Sequence, residues 1–151
     1  MIEFRPANLA EYPLAAEMRH SMSVEHDGDF DKRSDRWRAR FCAYFAGKQG
    51  VGKGQLFLAL DGEQPAGMAI VSLMENYRTE IFGVRYAYVN GVYVYPHYRR
   101  RGIARRLMNM AIDWARERGC VQVRLRSSDD GRPLYRSLGF AASSEMQLDI
   151  S

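Results

Sequence analysis

Apolar positions along the chain switch between strand spacing and helical spacing in a definite order. Ile2 and Phe4 alternate with polar neighbours as a short strand, which Pro6 stops because it has no N–H to donate. Leu14, Met18 and Met22 then recur at helical spacing. Asn8 and Glu11 stand at capping-box distance, but a helix begun there would enclose Pro13, so a start near Pro13 fits equally well. Trp37, Phe41, Tyr44 and Phe45 predict a second amphipathic helix, opening at Ser34 or Asp35 and ending near Gly47. Residues 55–60 and 66–74 read as two strands joined through Asp61-Gly62, a hairpin signal. Residues 75–83 read as a loop, and a strand rich in β-branched and aromatic residues follows over about 84–94. Ile103, Leu107, Ala111, Trp114 and Ala115 predict a long helix stopped by Gly119. Val121, Val123 and Leu125 alternate with Gln122, Arg124 and Arg126 as a half-exposed strand. Pro133 opens a short helix capped by Gly139, and Met146, Leu148 and Ile150 predict a last strand.

This order describes one mixed α/β domain over residues 1–151, long enough to bury a core, with no internal repeat. A net charge of +4 is mild, and much of the excess sits between Arg99 and Arg106. It therefore suits one polyanionic ligand better than a nucleic-acid face, and no nucleic-acid partner is expected. Cys42 and Cys120 both fall in predicted elements, which points to reduced thiols and a cytoplasmic protein. No run of 18 apolar residues occurs, so no membrane partner is expected. Glu25 to Asp31 form a locally acidic turn, readable as a solvated loop or as a patch that attracts a cationic amine.

The chemistry concentrates where the long strand meets the long helix. Arg99, Arg100, Arg101, Gly102, Ile103, Ala104 and Arg105 form a basic turn and the first helical turn. A helix start bares N–H groups and carries the positive end of the dipole. Gly102 and Ala104 keep it free of bulk, so a pyrophosphate can reach the main chain. The run from Gly47 to Gly54 nearly fits a nucleotide phosphate loop, but lacks its Ser/Thr and lies between a helix and a strand, the reverse of the required context.

Arg99-x-x-Gly102-x-Ala104 resembles the acyl-CoA signature of the GNAT superfamily of N-acetyltransferases. The preceding Val92-Tyr93-Val94-Tyr95-Pro96 is similar to the strand end of that family, and Leu134-Tyr135-Arg136-Ser137-Leu138-Gly139-Phe140 to its second block. The resemblance implies a central, mixed, mostly antiparallel twisted sheet of about six to seven strands flanked by about four helices. It implies acetyl-CoA as cofactor, held by Arg99 to Arg105 at its phosphates and by Val92, Tyr93 and Val94 along its arm. That contact requires a splayed or bulged strand, for which Asn90-Gly91 is the natural place. Where the family often has Asn and Ala, seven and four residues before its tyrosine, this chain has Ser128 and Gly131. Ser128 retains a hydrogen-bonding group for the arm, with shorter reach than an amide. The expected partner is an amine-bearing acceptor. The family's frequent homodimers make a second copy another partner to test.

Moving an acetyl group onto an amine needs two proton transfers and no metal. A lysine-like amine is neutral in roughly one part in 2,500 at pH 7, so a carboxylate or water relay must take its proton. Glu17, Glu25, His26, Asp27, Asp29 and Glu75 are candidates, with His20 and His97 also able by chemistry, and no spacing selects among them. The leaving thiolate titrates near about 8.5 and a phenol near about 10, so a tyrosine holds its proton at neutral pH and passes it on at small cost. Tyr135 stands where the family keeps such a tyrosine. The other role open to it is packing along the cofactor arm. A non-catalytic acyl-CoA-binding module is the alternative function. The acceptor's identity and any acyl preference beyond acetyl are not legible at this level.

Overall fold

A computed structural model describes residues 1–26 and 36–151. Among the described residues, five strands form one sheet in chain order: β1 (Ile2–Pro6), β2 (Gly54–Asp61), β3 (Gln64–Met74), β4 (Arg85–Val94) and β5 (Cys120–Leu125). Each neighbouring pair is antiparallel except β4 and β5, which run parallel. The described residues also form five α-helices: α1 (Tyr12–His26), α2 (Trp37–Gly50), α3 (Tyr77–Phe82), α4 (Ile103–Glu117) and α5 (Arg132–Ser137). The mixed, mostly antiparallel sheet expected from the resemblance is present, with five strands rather than six to seven among the described residues. Residues 141–151 form no strand, because the alternation of Met146, Leu148 and Ile150 finds no backbone partner among the described residues.

Alternate sheet residues build two apolar layers, as pleating requires. Phe57, Ala59, Ala69, Val71, Ala87, Val89 and Val94 face α4, which buries Ile103, Leu107, Met108, Ala111, Trp114 and Ala115 against them. Leu56, Leu58, Leu60, Met68, Ile70 and Tyr93 face the other way, toward α1 and α2. Each large side chain so buried contributes about 1.5–3 kcal/mol.

The capping box at Asn8 and Glu11 forms, yet it caps a single 3-10 turn over Leu9–Glu11; α1 then begins at Tyr12, one residue before Pro13. Both readings of the start thus hold, on successive turns. The second helix runs on to Gly50, beyond the predicted end near Gly47; its predicted starts at Ser34 and Asp35 lie outside the described residues, as does the acidic turn from residue 27 onward. The expected loop over residues 75–83 contains α3, capped by the Asn76 side chain and closed by Gly83 at φ 68°. Six residues are too few to show helical periodicity.

Glu11 also receives both arms of the Arg5 guanidinium, at 2.8 and 2.7 Å. That pairing, against the opposing effect of burial and with help from the Asn8 N–H, lowers the carboxyl to about 2. A carboxylate whose pKa falls on folding stabilises the fold above its unfolded value, and the gain disappears as pH drops through the folded value. Glu11→Gln keeps the cap but removes the ion pair. It should cost about 1 kcal/mol at pH 7, a figure discounted because Arg5 is partly exposed. Melting of both proteins from pH 7 downward should show the gap narrowing between pH 4.5 and about 2.

Candidate active site

β4 outruns its neighbour. Its pairing with β5 ends at Val89↔Leu125, while β4 continues to Val94, so Asn90, Gly91, Val92, Tyr93 and Val94 have no strand partner on that side among the described residues. On the other side the register with β3 steps from Ile70↔Gly91 to Val71↔Val89, leaving Asn90 as an extra residue. This is the distortion expected at Asn90-Gly91. Asn90 is held there by the Ser72 hydroxyl, which donates to its Oδ1 at 2.5 Å.

Beyond β4 the chain makes a 3-10 turn over Pro96–Tyr98 and enters α4 through two left-handed residues, Arg100 at φ 64° and Gly102 at φ 75°. An arginine in that region carries backbone strain of about 1–2 kcal/mol. The reversal it produces turns successive N–H groups to one side, the geometry of an anion nest. The Arg99 N–H bonds to the Pro96 carbonyl and the Arg106 N–H to that of Gly102. Between them, the N–H groups of residues 100–105 donate to no acceptor among the described residues, and α4 has no side-chain cap. A Cβ built on Gly102 would meet nothing within 4 Å, so the space before these amides is open. Val94, Arg99, Arg100, Gly102, Ile103, Ala104 and Arg105, all predicted site residues, line one depression with Tyr98 and Leu134. Arg101 stands outside that lining, its guanidinium 5.6 Å from the Tyr98 ring centre.

Arg99 does not serve simply as a free cation. Its Nε donates to the Val94 carbonyl at 2.8 Å, and its Nη2 meets both oxygens of Glu25 at 3.0 and 2.8 Å. The Tyr93 hydroxyl donates to the same carboxylate at 2.5 Å. Burial pushes the Glu25 carboxyl up, but the Tyr93 hydroxyl and the Arg99 guanidinium together hold it below the usual carboxylate range. Glu25 therefore pins the end of α1 to the mouth of the cradle. Its partners lie about seventy positions away in the chain, and no spacing could have singled it out. Arg99→Gln should accordingly lower the melting temperature more than Arg100→Gln. Arg100→Gln should instead weaken CoA binding about tenfold, with loss of salt dependence, measured by titration calorimetry at two ionic strengths.

Tyr135 lies on α5 next to Leu134, half-buried, its ring edge-on to Phe140 at 6.0 Å. Burial pushes its phenol up, so the proton is firmly held at neutral pH. No described residue hydrogen-bonds to that hydroxyl, which leaves it available. A Cβ on Gly131 would come within 2.8 Å of the Tyr135 ring and 3.3 Å of the Ser128 hydroxyl. The glycine is there for close approach, since its φ of −81° is ordinary. The Ser128 Oγ accepts the Gly131 N–H at 3.1 Å, so it caps the turn while its own proton stays free.

The base candidates separate. Glu75 pairs with Lys53 at 2.5 Å, and its neighbour Met74 pairs with Tyr86, at the end of β4 remote from the cradle. Glu17 pairs with Arg38 at 2.7 Å. His97 is exposed, and the His20 ring stacks on Trp37 at 6.4 Å. Asp27 and Asp29 lie outside the described residues. Among the described residues no group of His, Cys, Asp and Glu is arranged to hold a metal ion.

The sequence matches the acetyltransferase (GNAT) family over residues 15–140. It is 32% identical over 89 residues to an aminoglycoside N(6')-acetyltransferase type 1 from Acinetobacter genomosp. 13, covering 57% of this chain and 61% of that protein. It is 33% identical over 90 residues to a glucosamine 6-phosphate N-acetyltransferase from Trypanosoma brucei brucei, covering 58% and 61%. The chain thus spans about three fifths of the length of the curated relatives it matches. A solved structure of a predicted acetyltransferase with acetyl-CoA from Clostridium acetobutylicum superposes at a TM-score of 0.85, with 22% identity over 100% of this chain and 96% of that one. A free helix start, an overhanging central strand and the match over residues 15–140 agree: the chain belongs to the acetyltransferase (GNAT) family.

Proposed function

We propose that the protein is an acetyl-CoA-dependent N-acetyltransferase that moves an acetyl group to a primary amine by direct attack in a ternary complex. The run of unpartnered N–H groups over residues 100–105, beside the overhang of β4, carries this reading. When bound, acetyl-CoA supplies an activated thioester. The amides of Arg100, Arg101, Gly102, Ile103, Ala104 and Arg105 hold the two phosphates, strengthened by the dipole of α4 and the nearby guanidiniums. Main-chain groups on the open side of β4 at Val92, Tyr93 and Val94, other than the Val94 carbonyl that Arg99 holds, orient the arm as an added strand would be oriented. Ser128 donates its remaining proton to that arm, and Tyr135 gives its phenolic proton to the departing sulfur.

An amine acceptor is supported by the two curated relatives, named for N-acetylation of an aminoglycoside and of glucosamine 6-phosphate. A cytoplasmic location and a homodimer belong to the same proposal; no helix among the described residues is long and apolar enough to cross a membrane. Calorimetry with CoA tests the cradle, and an amine screen read by released thiol tests the transfer. No heat with CoA or acetyl-CoA at millimolar concentration would remove the proposal entirely.

A further inference from the structure

The face of the sheet that packs on α1 and α2 turns polar where β4 meets β5. Ile70 lies on that face, and Ser72, two positions further along β3, shares it by pleating. Ser72 pairs with Tyr88 and Tyr88 with Arg124, so these side chains stand in one row across three strands. The exposed bulge residue Asn90 leans into the row, because the nearly buried Ser72 hydroxyl donates to its Oδ1. With Oδ1 so used, the Asn90 amide has its Nδ2 N–H groups to offer. The Arg124 guanidinium lies 4.3 Å from the Tyr86 ring centre, and its Nε and Nη2 donate to the Gln122 Oε1 at 3.2 and 3.1 Å. A ring and a neutral amide thus hold the cation in place without neutralising it. No carboxylate among the described residues pairs with Arg124, and its Nη1 donates to none of them. Glu25, joined to this face through Tyr93, is already committed to Tyr93 and Arg99. Glu17 and Glu75 are paired with Arg38 and Lys53.

We infer that the acceptor is a primary amine that also carries an anionic oxygen group, a carboxylate or a phosphate, received by the Arg124 guanidinium and the Asn90 amide. This rests on the N-acetyltransferase reading and narrows its substrate class. Both groups are donors, and a planar guanidinium with free N–H groups matches the paired oxygens of either anion. An acceptor whose only charge is its ammonium would meet donors and a like charge here. Arg124 stands opposite Tyr88, two positions from Asn90, so a short molecule can rest its anion on this row and its amine at the overhang of β4.

Matched amines test this on the full chain: ε-aminocaproate against its amide, aminopentyl phosphate against aminopentanol, and cadaverine as a dication. Calorimetry on the CoA-loaded protein measures binding without turnover, and thiol release from acetyl-CoA measures transfer. At least one anionic member should bind about tenfold more tightly than its neutral partner, and which pair shows it distinguishes carboxylate from phosphate. Arg124→Gln should bring that ratio to about one while CoA affinity stays within about twofold, since Arg124 is no part of the cradle. Asn90→Asp still accepts from Ser72 but replaces N–H donors with a negative charge. It should weaken the anionic amine about tenfold and favour cadaverine. Equal binding within both pairs would overturn the inference. So would tighter binding of cadaverine to the wild type, or an anion preference that survives both substitutions. The preference without any thiol release would uphold the anion site and remove the transferase reading, so the two fail separately.

Discussion

Replacing Tyr135 with phenylalanine should lower kcat by about 100-fold while leaving CoA affinity within about twofold of the wild type. The variant keeps every contact the ring makes: the edge-on approach to Phe140 and the close seat on Gly131. Only the hydroxyl is lost, and no described residue hydrogen-bonds to it, so the fold should not notice. If Tyr135 merely packed against the arm, phenylalanine would do as well and turnover would be unchanged. The pH profile provides a second readout. The protonated phenol is the active form, so rate is present below its pKa and is lost as pH rises through it. Burial moves that pKa upward, which carries the alkaline limb beyond the ordinary tyrosine value of about 10. In the phenylalanine variant that limb should be missing.

Ala104→Glu should abolish detectable CoA binding, weakening it by more than about 100-fold, while holding or raising the melting temperature. The two effects have opposite signs for one reason. A carboxylate in the first turn of α4 meets the positive end of the helix dipole, contributing about 0.3–1 kcal/mol to the free protein. The same charge takes up the N–H groups of residues 100–105 and repels a diphosphate. A merely damaged fold would lose stability and binding together. Retained CoA affinity in a stable variant would show that the ligand's phosphates lie elsewhere.

Elements with repeated internal signals could be read directly from the residues. α4 shows its buried face at Ile103, Leu107, Ala111, Trp114 and Ala115, its start at Gly102 and its stop at Gly119, whose φ is 74°. The placing of Tyr135 on a short helix opened by Pro133 was equally legible, whereas the bulge was expected from the family resemblance, with Asn90-Gly91 marking only its place. α3 was not, since its six residues complete fewer than two turns and its capping Asn76 reads as any loop asparagine would.

The final strand shows why periodicity alone is insufficient. Met146, Leu148 and Ile150 have the pattern, but a strand exists only when another backbone satisfies its N–H and C=O groups. Glu25 shows the complementary limit. In the sequence it was one carboxylate among several, and only the fold sets it against Tyr93 and Arg99.

The amino-acid order by itself determined the local matters: which segments coil or extend, where glycine and proline end them, and that a bare helix start follows the strand ending at Val94. Tertiary structure decided what depends on distance between remote segments. It exposed the flank of β4 where β5 stops at Leu125, tied Arg99 to Glu25, and left residues 141–151 without a strand partner. Backbone propensity and capping act within a few residues, whereas pairing and ion contacts are settled only when the packed core brings distant residues together.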